Sequence, residues 1–371
     1  MTESARRRLA IFLPSLAGGG AERVSLNLAR EVANRGVDVD LVVSQAVGPY
    51  VSEIPDGVRL VDLEASRVAT SLPGLVRYLR RNRPDAMLTV MSHANVIGVA
   101  AASIARTSTR VVTSEHDTLS QVTERTARRR ARGMPYLVAM TYPRADAIVA
   151  VSSGVADDLS AVTGLSRDDI DVIYNPVVTP EVEEAVKQAV DHPWFDPGQP
   201  PVVLGIGRLA PKKDFPTLMR AFARVREHSP ARLVILGDGP DREDLHQLAR
   251  ELGIEQDVSM PGFVDNPFSY LRVASVFVLS SRWEGLPTVL IEALYCGTPV
   301  VATDCPSGPR EILSDGQYGV LVPIDDVEVI AAGIDRAIRG ELPRPPIESW
   351  APYELGTVTD RYLEVFFDPS P

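Results

Sequence analysis

Apolar residues in this chain fall into short runs of strand length, separated by stretches where they recur every three or four positions. The run "RLAIFLPSL" is followed by "GGGAERVSLNLAREVANRG", whose apolar positions line one face of a helix that Gly36 would end. The runs "VDVDLVVS", "DAMLTVM", "RVVTSEHD", "AIVAVSSG" and "IDVIYNP" continue the series, with helical stretches between most of them. Strands that are apolar nearly throughout must be covered on both faces. The alternation therefore predicts a parallel, doubly wound sheet.

Near Pro176 the pattern breaks, and "NPVVTPEVEEAVKQAVDHPWFDPGQPP" holds six prolines and no sustained strand. Alternation then restarts, with strand-like "PVVLGIGRL", "ARLVILGDG", "DVSMPGF", "VFVLSS" and "PVVATD" separated by helical patterns. The expected organisation is a Rossmann-like domain over residues 1–178 and a linker over 179–200. A second Rossmann-like domain follows over 201–345, then a C-terminal helix in 346–371 that packs back towards the first domain. The fold class is α/β, with two parallel-sheet domains facing a cleft. Ligands of open α/β sheets sit where strands end, so the chemistry is expected in loops that follow strands.

Length agrees with this division, since 371 residues exceed what a single core usually serves. Hydrophobic residues make up 45% and charged residues 23%, as in an ordinary globular chain. The most membrane-like stretch, 86–105, carries His93, Asn95 and two serines and begins like a strand, so no transmembrane helix is expected. The first apolar run is too short for a signal peptide, and Cys296 and Cys305 give no disulfide framework. A cytoplasmic protein is expected. The net charge of −11 divides unevenly, +6 over residues 1–150 and −17 over the rest. Either the basic half faces something anionic or surface composition has drifted; nucleic acid is not expected as a partner.

The segment "SRWEGLPTVLIEALYCGTPVV" is the richest in candidate chemistry. A strand ends near Ser281, Pro287 suits the first helical position, and the amides near Thr288 then lack intrahelical acceptors. Such a helix start takes an anion, for instance a diphosphate. Glu292 lies eight residues after Glu284, and a carboxylate beside a phosphate site commonly takes two ribose hydroxyls. The same two residues also read as a helix-start acid and a surface acid. Arg208 follows "VVLGIG", and Lys213 lies five residues on in "GRLAPKKDFPTL". Fixed cations there would stabilise charge on a departing phosphate, each by about 3 kcal/mol; a solvated basic loop is the plain alternative. Lysine occurs only at Lys187, Lys212 and Lys213, which singles out the doubled pair.

Together, Glu284-x7-Glu292 in "EGLPTVLIEALYCGTPVVATD", the "GRLAPKKDF" segment and the "AGGGAERV" loop resemble the retaining glycosyltransferases of family 4, with the two-domain GT-B fold. The resemblance runs over about residues 9–365, and "CPSGPREIL" resembles the branch that builds bacterial polysaccharides and lipid-linked oligosaccharides. It implies that Arg208 and Lys213 hold a nucleotide diphosphate, that Glu292 binds the ribose, and that Glu284 lies by the transferred sugar. Gly285, Leu286, Pro287 and Thr288 would carry the helix start onto the donor. Gly19 and Gly20 would approach the donor phosphates or the acceptor, and His116 would lie near the anomeric centre. The resemblance also implies a nucleotide-sugar donor, most often a UDP-sugar, a saccharide or polyprenyl-diphosphate-linked acceptor, and no metal or other cofactor. Asp214 stands where the family often has glycine, either altering the turn or capping the helix. Lys212 stands where the family often has glutamate, and no ligand contact is expected of it. A nucleotide-sugar 2-epimerase of the same fold and a non-catalytic nucleotide-sugar-binding module remain alternatives.

Other motifs carry less. Gly18–Arg23 lacks the third glycine of a dinucleotide loop, and no His/Cys cluster has metal-ligand spacing. Asp38 with Asp40, and Asp169 with Asp171, match D-x-D but open strands instead of following them; both pairs read as solvated edges. In "TERTARRRARGMPYLVAMTYPRAD" a helix would place Arg125, Arg128, Arg129 and Arg132 on one face. That face is either solvated or meets anionic lipid headgroups or an acceptor pyrophosphate, as in a peripheral protein of the inner membrane face.

Overall fold

A computed structural model describes residues 6–121 and 133–367. Arg125, Arg128, Arg129 and Arg132 lie outside the described residues. The chain divides into two compact units, residues 1–176 with 353–371, and residues 177–352.

The first unit runs β1 (Arg8–Leu13), α1 (Gly20–Asn34), β2 (Asp38–Val43), β3 (Val58–Asp62), α2 (Leu72–Asn82), β4 (Ala86–Val90) and α3 (Ser92–Ala105). It continues with β5 (Arg110–Glu115), α4 (Met134–Thr141), β6 (Ala147–Ala150), α5 (Ser153–Thr163) and β7 (Ile170–Val172). Its strands are parallel, in the order β3-β2-β1-β4-β5-β6-β7. The two-residue period of β1 supplies both cores. Leu9, Ile11 and Leu13 pack with residues of α1, while Ala10 and Phe12 pack with residues of α2 and α3. Each such side chain removed from water contributes about 1.5–3 kcal/mol.

In the second unit the order is α6 (Pro180–Lys187), β8 (Val202–Ile206), α7 (Phe215–Arg226), β9 (Arg232–Leu236), α8 (Arg242–Glu251), β10 (Val258–Gly262) and α9 (Pro267–Val273). There follow β11 (Val276–Leu279), α10 (Thr288–Tyr295), β12 (Val300–Thr303), α11 (Pro309–Ile312), β13 (Val320–Val322) and α12 (Val327–Ile338). The strands are parallel, ordered β10-β9-β8-β11-β12-β13. The proline-rich residues 179–200 are part of this unit. Their helix α6 packs on α9, and Asn266 Nδ2 donates to the Ala185 carbonyl at 2.8 Å. The chain then returns to the first unit as α13 (Leu355–Phe367), which packs on α1 through an Arg35–Asp360 ion pair and buries Tyr362 and Phe366.

Both sheets reverse direction of growth at one point, between β1 and β4 and between β8 and β11. Loops that follow these strands diverge and leave room for a ligand.

Two details depart from the sequence reading, the edge strands and Asp40, and one agrees with it. Strands β3 and β13 were not foreseen: both lie at sheet edges, β13 has three residues, and Arg59 and Asp62 break the apolar run of β3. The stretch 86–105 divides into β4 and α3 at Met91, whose φ of 77° turns the chain out of the strand. Asp40 is not a solvated edge. It is 4% exposed, accepting from Arg59 Nε at 2.7 Å and from the Tyr78 hydroxyl at 2.5 Å, and so serves as a structural anchor under the sheet.

Candidate functional site

At the reversal point of the second sheet, β8 delivers Gly207 and Arg208 directly after its last residue. Gly207 has φ of 155°, and a Cβ there would stand 2.9 Å from Lys213 Cε, so a side chain at this position would displace the lysine stem. The loop is braced from the β9 side. Leu209 N donates to the Asp238 carbonyl at 3.0 Å, and Gly237, at φ 131°, lies so close to the Gly207 carbonyl that any Cβ would strike it. Arg208 is exposed, with no hydrogen bond or ion pair to another described residue.

The loop after β11 meets this one through backbone groups. Ser280 Oγ donates to the Lys213 carbonyl at 2.7 Å, and Arg282 N donates to the Lys212 carbonyl at 2.9 Å. Glu284 is thereby set against both lysines. Lys213 Nζ donates to its Oε1 at 2.6 Å, Ser281 Oγ donates to the same oxygen at 2.7 Å, and Lys212 Nζ lies 3.3 Å from Oε2. Burial of the carboxylate, 6% exposed, would by itself raise its pKa. The charges of Lys213 and Lys212, with the Lys213 and Ser281 hydrogen bonds, win and hold it at about 2. Lys212 is therefore part of the charge cluster. Cys305 stands beside it, but burial and the Glu284 charge push its thiol up to about 12, which keeps it protonated and unreactive.

Asp214 adopts the left-handed conformation, φ 46° and ψ 47°, where glycine is the easiest residue. Its side chain does not cap α7. Instead Oδ2 accepts from Thr217 Oγ1 at 2.8 Å and forms an ion pair with Arg282 Nε at 3.2 Å, and Arg282 also reaches Asp325 at 2.6 Å. The substituted position thus ties the two site loops together.

Helix α10 starts one residue later than the sequence reading placed it: Pro287 is the N-cap and Thr288 the first helical residue. Leu290 N donates to the Pro287 carbonyl at 3.0 Å, leaving the Thr288 and Val289 amides without intrahelical acceptors. Gly285 and Leu286 are buried behind the helix start, where Ser307 Oγ donates to the Gly285 carbonyl at 2.7 Å. Glu292 is half-buried about one turn along the helix.

In the first unit the glycine loop leads from β1 into α1, with Gly19 as N-cap and Gly20 as first helical residue, both exposed. The Glu22 carboxyl folds back onto the Gly19 amide, so this helix start already holds an anion of its own; burial raises the pKa of that carboxyl, and backbone donors oppose the rise. His116 follows β5, with Nε2 3.0 Å from Ser114 Oγ, which in turn lies 3.3 Å from the Tyr362 hydroxyl of α13. Loss of water lowers its pKa to about 4 against the opposing charge of Asp117, so the ring is neutral near pH 7. Next to it, Glu115 is buried and accepts from Ser92 Oγ at 2.8 Å and from the Tyr142 hydroxyl at 2.7 Å. Asn95 Nδ2 donates to that same hydroxyl at 2.8 Å. Sequence reading passed over this network, which is built on the glutamate that closes β5.

Among the described residues no three His, Cys, Asp or Glu side chains converge in a way that would hold a metal ion. No helix there is long and apolar enough to cross a membrane.

Two family models match the chain, "Glycosyltransferase Family 4" over residues 18–181 and "Glycosyl transferases group 1" over residues 187–349. One relative is the N-acetylgalactosamine-N,N'-diacetylbacillosaminyl-diphospho-undecaprenol 4-alpha-N-acetylgalactosaminyltransferase of Campylobacter jejuni. It is 30% identical over 88% of this chain and 89% of its own. Another is the lipopolysaccharide core biosynthesis glycosyltransferase LpsE of Rhizobium meliloti, 30% identical over 94% and 95% of the two chains. Among solved structures, Anabaena Alr3699/HepE in complex with UDP-glucose superposes with a TM-score of 0.76 at 21% identity, covering 96% of this chain and 98% of that one. These matches decide between transferase, epimerase and binding module in favour of the first. The chain belongs to the family 4 and group 1 glycosyltransferases and has their two-domain GT-B fold.

Proposed function

We propose that the enzyme moves a sugar from a nucleotide-sugar donor, a UDP-sugar, to a hydroxyl of a saccharide or polyprenyl-diphosphate-linked acceptor during assembly of a cell-surface glycan. The observation that carries the donor assignment is the Lys213–Glu284 pair at the reversal point of the second sheet, with exposed Arg208 on the same loop. Two cations and the start of α10 offer what a diphosphate needs, and Glu292 stands where a ribose would be met. The relatives agree in kind: the C. jejuni enzyme's name carries a diphospho-undecaprenol acceptor, LpsE serves lipopolysaccharide core synthesis, and the Anabaena protein was solved with UDP-glucose.

In this reading the first unit receives the acceptor, with Gly19, Gly20 and His116 at its sheet edge. The acceptor oxygen bonds to the anomeric carbon on the face from which the diphosphate oxygen leaves. The acceptor proton passes to that departing phosphate, and configuration is retained. Arg208 and Lys213 stabilise the leaving charge without a metal. The test is transfer from a panel of UDP-sugars to a lipid-linked acceptor. Activity should persist in EDTA and fall at least a hundredfold in Lys213→Ala; strict divalent-metal dependence overturns the mechanism.

The same reading includes peripheral contact with an anionic membrane. The arginines that prompted it lie outside the described residues. What supports it within them is α4, where Tyr136 and Met140 are 76% and 65% exposed, and the absence of any Asp or Glu in α2, α3 and α4. Tyr136→Ser with Met140→Gln should reduce co-sedimentation with phosphatidylglycerol vesicles; equal sedimentation of both proteins removes this part.

A further inference from the structure

Glu284 has a lysine on each oxygen, Lys213 2.6 Å from Oε1 and Lys212 3.3 Å from Oε2. A single ammonium neutralises a carboxylate, so the second requires a reason. The reason appears when charges are set against a bound donor. Lys212 and Lys213 face one carboxylate and exposed Arg208 stands on the same loop, together a surplus of two positive charges, and the diphosphate of a nucleotide sugar carries two negative ones. Once Lys213 donates to a phosphate oxygen its charge is shared or lost to Glu284. A carboxylate that is 6% exposed and deprived of its counter-charge takes up a proton.

We propose that Lys212 is a positioning residue: it keeps Glu284 ionised and oriented while Lys213 serves the diphosphate, and does not itself touch the phosphates. The inference rests on the donor reading given above. Glu284 is faced by Lys212 and Lys213 from the loop after β8, by Ser281 from its own loop and by Cys305 from the loop after β12. The thiol is neutral, so the two lysines are the charged groups that act on it. Ser281 donates to Oε1, which leaves Lys212 as the partner of Oε2.

Titration calorimetry with UDP on the full chain tests this between pH 6.5 and 8.5, in two buffers of different ionisation enthalpy. Wild type, Lys212→Gln, Lys212→Arg and Lys213→Ala are compared side by side, so that UDP's own ionisation cancels. Lys212→Gln leaves Lys213 on Glu284 in the free protein and should fold. Its UDP binding should take up a proton that wild type does not. The ratio of its Kd to the wild-type value should widen with pH, by up to about tenfold per unit. Lys212→Arg should restore wild-type behaviour. A Lys212→Gln weakening that is equal at every pH, without extra proton uptake, marks a direct phosphate contact and overturns the proposal; so does wild-type affinity throughout. If wild type fails to bind UDP, or Lys213→Ala binds it equally well, the donor reading falls and takes this inference with it.

Discussion

The Tyr142 hydroxyl donates to Glu115 Oε2 over 2.7 Å, across the end of a strand whose last residue is a carboxyl only 2% exposed. Burial dominates here and lifts the Glu115 pKa to about 7, although Tyr142 and Ser92 both favour the ion. A carboxyl raised in the folded state contributes stability below its ordinary value near 4.5, and that contribution is lost as pH rises through about 7. Glu115→Gln keeps the shape and carries no charge. Its melting temperature relative to wild type should therefore climb between pH 5 and pH 8, by the equivalent of about 2–3 kcal/mol. A difference that stays flat across that range, followed by circular dichroism, removes the argument.

Asp214 balances an unfavourable backbone against favourable side-chain contacts. Glycine at this position would relieve about 1 kcal/mol of left-handed strain. It would also delete the acceptor of Thr217 Oγ1 and the ion-pair partner of Arg282 Nε inside a region where Asp214 is 5% exposed. Loss of buried partners outweighs the relief, so Asp214→Gly should destabilise the second unit by about 1–2 kcal/mol. Asp214→Asn, which tolerates the same conformation and retains the Thr217 bond, should cost less. All three tryptophans, Trp194, Trp283 and Trp350, lie in this unit, so their fluorescence reports its melting. A Gly variant as stable as wild type would show that the substitution is neutral.

Gly237 and Gly253 both have positive φ, 131° and 68°, but only the first is hemmed in by backbone. Gly253→Ala should cost about 1 kcal/mol, from conformation alone. Gly237→Ala must push the Gly207 carbonyl aside, so about 3 kcal/mol is expected, together with weakened UDP binding as Arg208 and Lys213 shift. Equal costs for the two, measured by urea unfolding, would mean that the loop yields without consequence.

Fold and site were unequally legible in the sequence. The α/β alternation was readable because strands such as β1 and β4 are apolar on both faces and recur between amphipathic helices such as α1 and α7. The edge strands β3 and β13 escaped because half-covered, short segments lose that signal. Glu284 and Lys213 were readable as candidates from their place after strands, but their mutual hydrogen bond joins residues 71 positions apart, which spacing cannot foretell. Lys212 stands where the family often has glutamate, so nothing in the sequence pairs it with Glu284; only the third dimension puts it on the second oxygen of that carboxylate. Glu115 and Asp40 were misjudged or passed over for a related reason. A carboxyl at either end of a strand looks solvated until the partners arriving from elsewhere, Tyr142 and Tyr78, are known.

Because each oxygen of Glu284 has its own lysine, the two pairs should be redundant for stability in the ligand-free protein. Lys213→Met leaves Lys212 on Oε2, and Lys212→Met leaves Lys213 and Ser281 on Oε1, so each change should cost about 1 kcal/mol. Removing both strands a buried carboxylate, for which about 3–5 kcal/mol is typical. The double variant should thus exceed the sum of the singles by about 1–3 kcal/mol. The sign with pH should also reverse. In wild type the Glu284 pKa is held at about 2, so its contribution is present above the ordinary value of 4.5 and lost as pH falls towards 2. Without either lysine, burial is opposed by the Ser281 hydrogen bond only and raises the value, so the double variant should gain stability relative to wild type on acidification from pH 8 to pH 5. Urea unfolding followed by tryptophan fluorescence at both pH values decides the matter. Strict additivity, or a double variant whose stability relative to wild type is unchanged between pH 8 and pH 5, would mean that Lys212 and Lys213 do not share this carboxylate.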